Sequence, residues 1–382
     1  MINKSKLLIY ILLIYIYEPF IWNILSHTLN IFPIIEYIFF LFMLCLIIVI
    51  TSKLNKQVFY FSVIFSLFLF INWMSVDYKY YMFVEGSQAI LKTLIPCYCL
   101  INKNMNINKF INTWYRFALK NYIFLFILIF LYKFNLVPYA VFANFCIPNV
   151  FIITYKIMES NKKIHKDVFI ILISILITGL FGGRTATFIM SLMLIFSILF
   201  NKNISKNKKI FFVIILVTVT FIVLNYITVI LLYLKNLMEF FKLKIRTINL
   251  LIETLKTKKI YFTGRDYIYT QCIEYIKDRY FFPSGFGVVL NLTDGKYYYS
   301  HNIILQILIT FGVPVTILLS FITIFRIKII KNYPEYIKRL LKYMFSVYFI
   351  IGIFGSSFWI HFLSTMFIAL FFFKNNFLIK RK

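Results

Sequence analysis

Three short stretches of this chain carry side chains able to hold a phosphate or move a proton. Phe181-Gly182-Gly183-Arg184-Thr185-Ala186-Thr187 sets one arginine beside two glycines and two threonines. Gly264-Arg265-Asp266-Tyr267 sets a second arginine at the head of a polar segment. Ser300-His301-Asn302 sets a histidine just before a long apolar run. A guanidinium is permanently charged and forks onto two phosphate oxygens at once. An imidazole takes a proton near neutral pH. A diphosphate-linked donor and a hydroxyl acceptor need that set. Each stretch also has a plainer reading. Arg184 could snorkel from a helix end to lipid headgroups. Arg265 could pair with its neighbour Asp266. Ser300 or Asn302 could cap a helix, with His301 incidental. Two glycines ahead of Arg184 weigh against the first of these, because they let backbone approach a ligand closely.

No metal or cofactor is expected. The chain has four histidines and five cysteines, without HxxxH or CxxC spacing and without an acidic cluster. Cys45, Cys97, Cys99 and Cys146 lie in apolar stretches and Cys272 lies alone in a polar one, so no structural disulfide is expected.

The elements that must position these residues follow from composition. Of 382 residues, 62% are apolar or aromatic and only 14% charged, against about 45–50% and about 25% in soluble domains. That excludes a cytosolic enzyme, a disordered chain and a nucleic-acid-binding domain. About 20 apolar residues cross a bilayer as a helix. Candidate spans fall at 6–25, 31–50, 57–75, 82–101, 114–132, 137–155, 167–182, 186–200, 209–234, 303–325, 341–357 and 358–373, about twelve in all. The N-terminal run has no small-residue cleavage site and reads as a retained first span.

The net charge of +28 then acquires a simple meaning. With both termini inside, the inner connections hold twenty-five Lys and Arg and the short outer ones only Lys79, Lys133 and Arg184. This is the bias of cytoplasmic loops. The expected architecture is an all-α polytopic membrane protein of the cytoplasmic (inner) membrane, organised in three parts. Residues 1–234 form spans one to nine, 235–302 an outer loop, and 303–382 the last three spans and tail. The loop is long enough to escape the charge bias. Its first part, Asn236 to Phe262, has Leu237, Phe240, Phe241, Ile245 and Ile248 at helical spacing, with Lys242, Arg246 and Lys256 between them. That pattern predicts a helix lying on the membrane surface. Its second part, Gly264 to His301, holds Phe282-Pro283-Ser284-Gly285-Phe286-Gly287, a rigid then flexible turn. Downstream, Gly312-Val313-Pro314 interrupts the tenth span.

Several ionisable residues fall in or near spans, where they are costly and often functional: Glu18, Glu36, Glu85, Lys92, Lys120 and His361. Glu18 and Lys120 are expected near span ends. Glu85 and Lys92 are seven apart, so roughly 10 Å apart along a helix axis, too far for a tight pair. They could line one path for a lipid carrier, and Glu85 could equally be solvated. Tyr297-Tyr298-Tyr299 could stack on a sugar face.

The pattern resembles the O-antigen polymerase and O-antigen ligase family of bacterial envelope polysaccharide assembly. The matching features are Gly182 to Thr185 at an outer span end, a long late outer loop, Gly264-Arg265, the Gly285-x-Gly287 turn, and His301-Asn302 before an apolar helix reaching Gly312. The resemblance implies a GT-C-like, metal-independent glycosyltransferase that inverts the anomeric centre. Its donor would be an oligosaccharide on undecaprenyl diphosphate, used on the outer face of the membrane. Arg184 and Arg265 would hold the diphosphate, and His301 would orient or deprotonate the acceptor hydroxyl. Gly183, Thr185, Asn302 and Tyr299 would complete the substrate-binding set. The implied partners are this lipid-linked oligosaccharide, membrane lipid, and a chain-length regulator and flippase of the same route; nucleic acid is not among them. A polymerase of O-antigen or capsule repeat units is the favoured reading. A ligase of the same family, or a glycan-lipid flippase or other transporter resting on Glu85 and Lys92, remains open.

Overall fold

The structure is a computed structural model that describes residues 4–29, 33–51, 56–102, 105–160, 164–240, 246–257, 265–279, 282–354 and 361–373. Their regular secondary structure is helical, with no strand among the described residues. In chain order the helices begin with α1 (Lys4–Leu29), α2 (Pro33–Thr51), α3 (Lys56–Ser75) and α4 (Lys79–Ile101). Next come α5 (Ile107–Asn121), α6 (Ile123–Lys133), α7 (Ala140–Glu159), α8 (His165–Ile177) and α9 (Arg184–Leu199). A π-helical turn, Thr178–Gly182, joins α8 to α9. Then follow α10 (Lys206–Phe240), α11 (Arg246–Thr257), α12 (Arg265–Asp278), α13 (Val288–Leu292) and α14 (Ile303–Ile330). The chain closes with α15 (Glu335–Phe354), α16 (Phe362–Ile368) and a second π turn, Ala369–Phe373.

Among the described residues, five helices, α1, α2, α3, α7 and α14, are long and apolar enough to cross a membrane, fewer than the twelve expected spans. A sixth crossing arises if α5 and α6 count as one span, bent by 48° between them. Side chains such as Val49, Ile64, Phe126 and Phe321 are exposed on these helices. Apolar surface of that extent needs lipid against it, so this is a multi-pass membrane protein.

The chain divides into two compact units, a division that cuts across the loop boundaries expected from sequence. The first unit is Met1–Ile16, Pro33–Phe110 and Phe262–Lys382. Its centre is α4, which packs on α2, α3 and α16 and is buried along most of its length. That burial explains how a helix carrying Glu85 and Lys92 can sit in an apolar bundle. The second unit is Tyr17–Phe32 and Ile111–Tyr261, built around α7, which packs on α8 and α9. Inside it the Tyr17 hydroxyl donates to Asn149 Oδ1, and Trp114 stacks on Phe151 at 5.6 Å.

Two expectations need correction here. Glu18 is buried at 4% exposure within α1 rather than placed at its end. Residues 236–240 prolong α10 instead of starting a separate surface helix. The following helix, α11, packs on α10 and on the Thr178–Gly182 turn. Phe241, Lys242, Ile245 and Gly264 lie outside the described residues. The five cysteines are free, and Cys272 is buried in a core of Ile268, Ile276, Val288, Val289 and Ile309.

Candidate active site

The first unit brings Arg265 and His301 together. Arg265 opens α12, and a helix start leaves backbone N–H groups without intrahelical partners. The neighbouring Asp266 is exposed in the first turn, where a carboxylate complements the helix dipole. One turn on, the Tyr269 hydroxyl donates to the His301 carbonyl at 3.3 Å. So α12 supplies both the arginine and a strut for the histidine.

His301 is held in an unusual state. Its φ is 55°, the left-handed region that residues with a Cβ seldom adopt. Tyr299 lies 4.5 Å from the imidazole between ring centres and Tyr297 lies 6.3 Å away. Two of the three tyrosines in the run thus flank the histidine, while Tyr298 is exposed at 55%. The Nδ1 atom is buried and has no hydrogen-bond partner among the described residues. Burial, and secondarily the Arg265 charge, push the imidazole down to about 4. It is therefore neutral at pH 7, with one ring nitrogen able to accept a proton.

Asn302 has a local task. Its side-chain oxygen accepts from the N–H groups of Ile304 and Leu305 at 2.9 and 3.2 Å, capping α14. Ser300 is fully buried. Its N–H donates to Gln306 Oε1 at 3.0 Å, and its hydroxyl donates to the Asn302 carbonyl at 2.7 Å. The plainer reading of this stretch, helix capping, is thus true of Asn302 and leaves His301 unexplained.

The Phe282–Gly287 turn forms the base of the site, and α14 shows why. Pro314 has no N–H, so the Thr310 carbonyl loses its helical donor. Gly312, at φ 67°, breaks the helix just before it. The freed carbonyls of Thr310 and Ile309 accept instead from the N–H groups of Gly285 and Ser284, at 2.9 and 3.2 Å. On the other side, Tyr78 donates to the Ser284 carbonyl at 2.6 Å, and Asn72 Oδ1 accepts from the Phe286 N–H at 3.0 Å. Phe286 is enclosed by Phe65, Phe68 and Phe311. Glu85 accepts from the Gly287 N–H at 2.6 Å and from Gln306 Nε2 at 2.8 Å.

Glu85 and Lys92 are both buried, at 2% and 4% exposure, and each has its own partners. Lys92 pairs with Glu36 at 3.1 Å and lies over the Phe40 ring. The alternative that Glu85 is solvated is corrected: it is buried, and hydrogen bonds and an ion pair engage the two groups. His361 caps α16 through Nδ1, which accepts from the Leu363 N–H at 3.2 Å. Lys120 is exposed beside the α5–α6 bend. Asn72, Tyr78 and Gln306 were not singled out from sequence. The available signal was an amide within each of two apolar spans.

The second unit holds the other arginine. Phe181 stacks on Phe142 at 5.3 Å and meets Tyr132 edge-on at 5.6 Å, anchoring the π turn. The Gly183 N–H donates to the Thr178 carbonyl at 3.1 Å, and extended Gly183 then starts α9. A Cβ at Gly183 would meet nothing within 4 Å, so this backbone faces open space. Arg184 is the exposed first residue of α9, and Thr185 is half-buried. No side chain caps this helix start, so its first N–H groups and Arg184 present donors and positive charge in one place, the features of an anion site. Arg184, Gly183 and Thr185 thus belong to one unit, and Arg265, Tyr299, His301 and Asn302 to the other.

Among the described residues no group of His, Cys, Asp or Glu is arranged to hold a metal ion. No curated protein and no solved structure matches the chain. A family model described as O-antigen ligase matches residues 169–320, the stretch that contains Arg184, Arg265 and His301. Over residues 169–320 the chain is thus similar to the O-antigen ligase family.

Proposed function

We propose that this protein is a membrane glycosyltransferase that joins oligosaccharide repeat units carried on a lipid diphosphate, that is, a polysaccharide polymerase. The carrying observation is His301. Its strained backbone, aromatic flanks, neighbouring Arg265 and unpartnered Nδ1 form a prepared proton acceptor beside a phosphate-binding charge. The Arg265 guanidinium binds the diphosphate and stabilises the charge that builds there as the anomeric C–O bond breaks. In the second unit, Arg184 and the first N–H groups of α9 offer phosphate-binding donors of their own. The acceptor hydroxyl attacks the anomeric carbon, its proton passes to His301, and the lipid diphosphate leaves. A single displacement inverts the anomeric centre. Reaction on the outer membrane face, a GT-C-like arrangement and about twelve spans complete the reading.

The matched family's description favours one second reading, a ligase. The chemistry is the same and the acceptor differs. A transporter would need Glu85 and Lys92 open to a pathway, and their buried partners speak against that.

The test is the glycan ladder of cells lacking the gene, complemented with wild type or with His301→Ala. A polymerase gives a single-repeat band in the null and in the variant, and long chains with wild type. Full-length polymer left on its lipid carrier would make the protein a ligase. Unchanged long chains in the null would reject both.

A further inference from the structure

Glu85 occupies the middle of a buried chain of hydrogen bonds. Both of its carboxylate oxygens accept: one from the Gly287 N–H at 2.6 Å, the other from Gln306 Nε2 at 2.8 Å. Gln306 is 1% exposed, and its own Oε1 accepts from the Ser300 N–H at 3.0 Å. Ser300 directly precedes His301. A carboxyl group within a bundle is costly unless each oxygen is satisfied, and here it is satisfied by two loop elements of the site. Holding the Gly287 turn alone would need only one acceptor. The second oxygen leads, through one amide, to the N–H of Ser300, the residue before His301 with its φ of 55°. A residue with a Cβ stays in that conformation only where its surroundings over-determine it.

We infer that Glu85 is a positioning residue: through Gln306 and Ser300 it sets the backbone of His301 and thereby the direction of the imidazole. Glu85 touches neither donor nor acceptor. The inference rests on the reading of His301 as the proton acceptor.

The bond directions supply a specific test. Glu85→Gln leaves either Gly287 or Gln306 facing an amide N–H₂ instead of an acceptor. Gln306→Glu sets two carboxyl groups against each other. In the double variant Glu85→Gln/Gln306→Glu every bond can form again: residue 85 donates to residue 306 and accepts from Gly287, and residue 306 accepts from Ser300. The assay uses purified full-length protein and lipid-diphosphate-linked repeat units isolated from cells lacking the gene. Membrane accumulation and melting temperature are followed in parallel. Each single variant is expected to lose about tenfold or more in kcat, equivalent to about 1.4 kcal/mol of barrier, with KM for the donor changed less than about twofold. The double variant is expected to recover to within about threefold of wild type.

Single variants with wild-type kcat would overturn the inference. So would a double variant that accumulates normally and stays as impaired as the singles. If Glu85→Gln does not accumulate, the double variant carries the test alone, with the same two outcomes. Wild type and His301→Ala run alongside. Equal activity of those two would reject the role of His301, a failure distinct from loss of the Glu85 effect.

Discussion

At the residue scale, the proposed chemistry rests on the unprotonated imidazole of His301. Its pKa is lowered from 6.5 to about 4, first by burial and then by Arg265. The sign of the linkage follows. Between pH 6.5 and about 4 the unfolded chain binds a proton that the folded chain does not. The stability associated with neutral His301 is therefore present above pH 6.5 and is lost as pH falls through about 4. NMR titration of histidine-labelled protein is expected to find His301 neutral at pH 6. Arg265→Gln is expected to raise its pKa while leaving it below 6.5, because burial is the larger cause. A titration midpoint at or above 6.5 in the wild type would contradict the buried, charge-flanked geometry. Asn302 offers a second check. Its oxygen caps α14, so Asn302→Asp should retain stability and polymer formation. Asn302→Ala should lose about 1 kcal/mol of stability in detergent melts. Loss of polymer in both variants at unchanged stability would instead assign the side chain to substrate.

At the element scale, the Phe282–Gly287 turn depends on two glycines. Gly285 and Gly287 have φ of 82° and 79°. A Cβ at Gly285 would lie 1.7 Å from Asn72 Nδ2, and one at Gly287 would lie 2.3 Å from the backbone nitrogen of Met82. A side-chain amide can turn aside and helix backbone cannot. Gly287→Ala should therefore be the more damaging substitution, and each carries about 1–2 kcal/mol of left-handed backbone strain before any clash. Melting temperatures of the purified variants would show the order; equal losses would mean that the clash adds nothing. Both substitutions should also reduce polymer length, since the turn carries the N–H that Glu85 accepts. The break in α14 belongs to the same device: Pro314 frees the Thr310 carbonyl, to which the Gly285 N–H then donates.

At the scale of the whole molecule, the distribution of charge argues for a defined orientation. The inner connections expected from sequence hold nearly all the basic residues outside the 235–302 loop, and basic loops are retained in the cytoplasm. With Cys45, the exposed cysteine, replaced by serine, cysteines placed singly at Lys296 and Lys206 report the two sides. A membrane-impermeant maleimide applied to spheroplasts should label the Lys296 position and spare the Lys206 position. The reverse pattern would put His301 on the cytoplasmic side and remove the outer-face assignment.

What the sequence by itself determined here is local or statistical. Apolar runs long enough to cross a bilayer marked α1, α2, α3, α7 and α14, because a helix satisfies its own backbone and only its length and hydropathy are needed to see it. Arg184, Arg265 and His301 stood out because their side-chain chemistry is independent of context. Tertiary structure alone decided what surrounds them. The bonds from Glu85 to Gly287 and Gln306 close separations of 202 and 221 residues, and no periodicity in the chain encodes such a meeting. The left-handed backbone of His301, the enclosure of its imidazole by Tyr297 and Tyr299, and the burial of Glu18 and Glu85 arise in the same way. Each depends on which distant backbone donors and side chains the packed helices bring within hydrogen-bond reach.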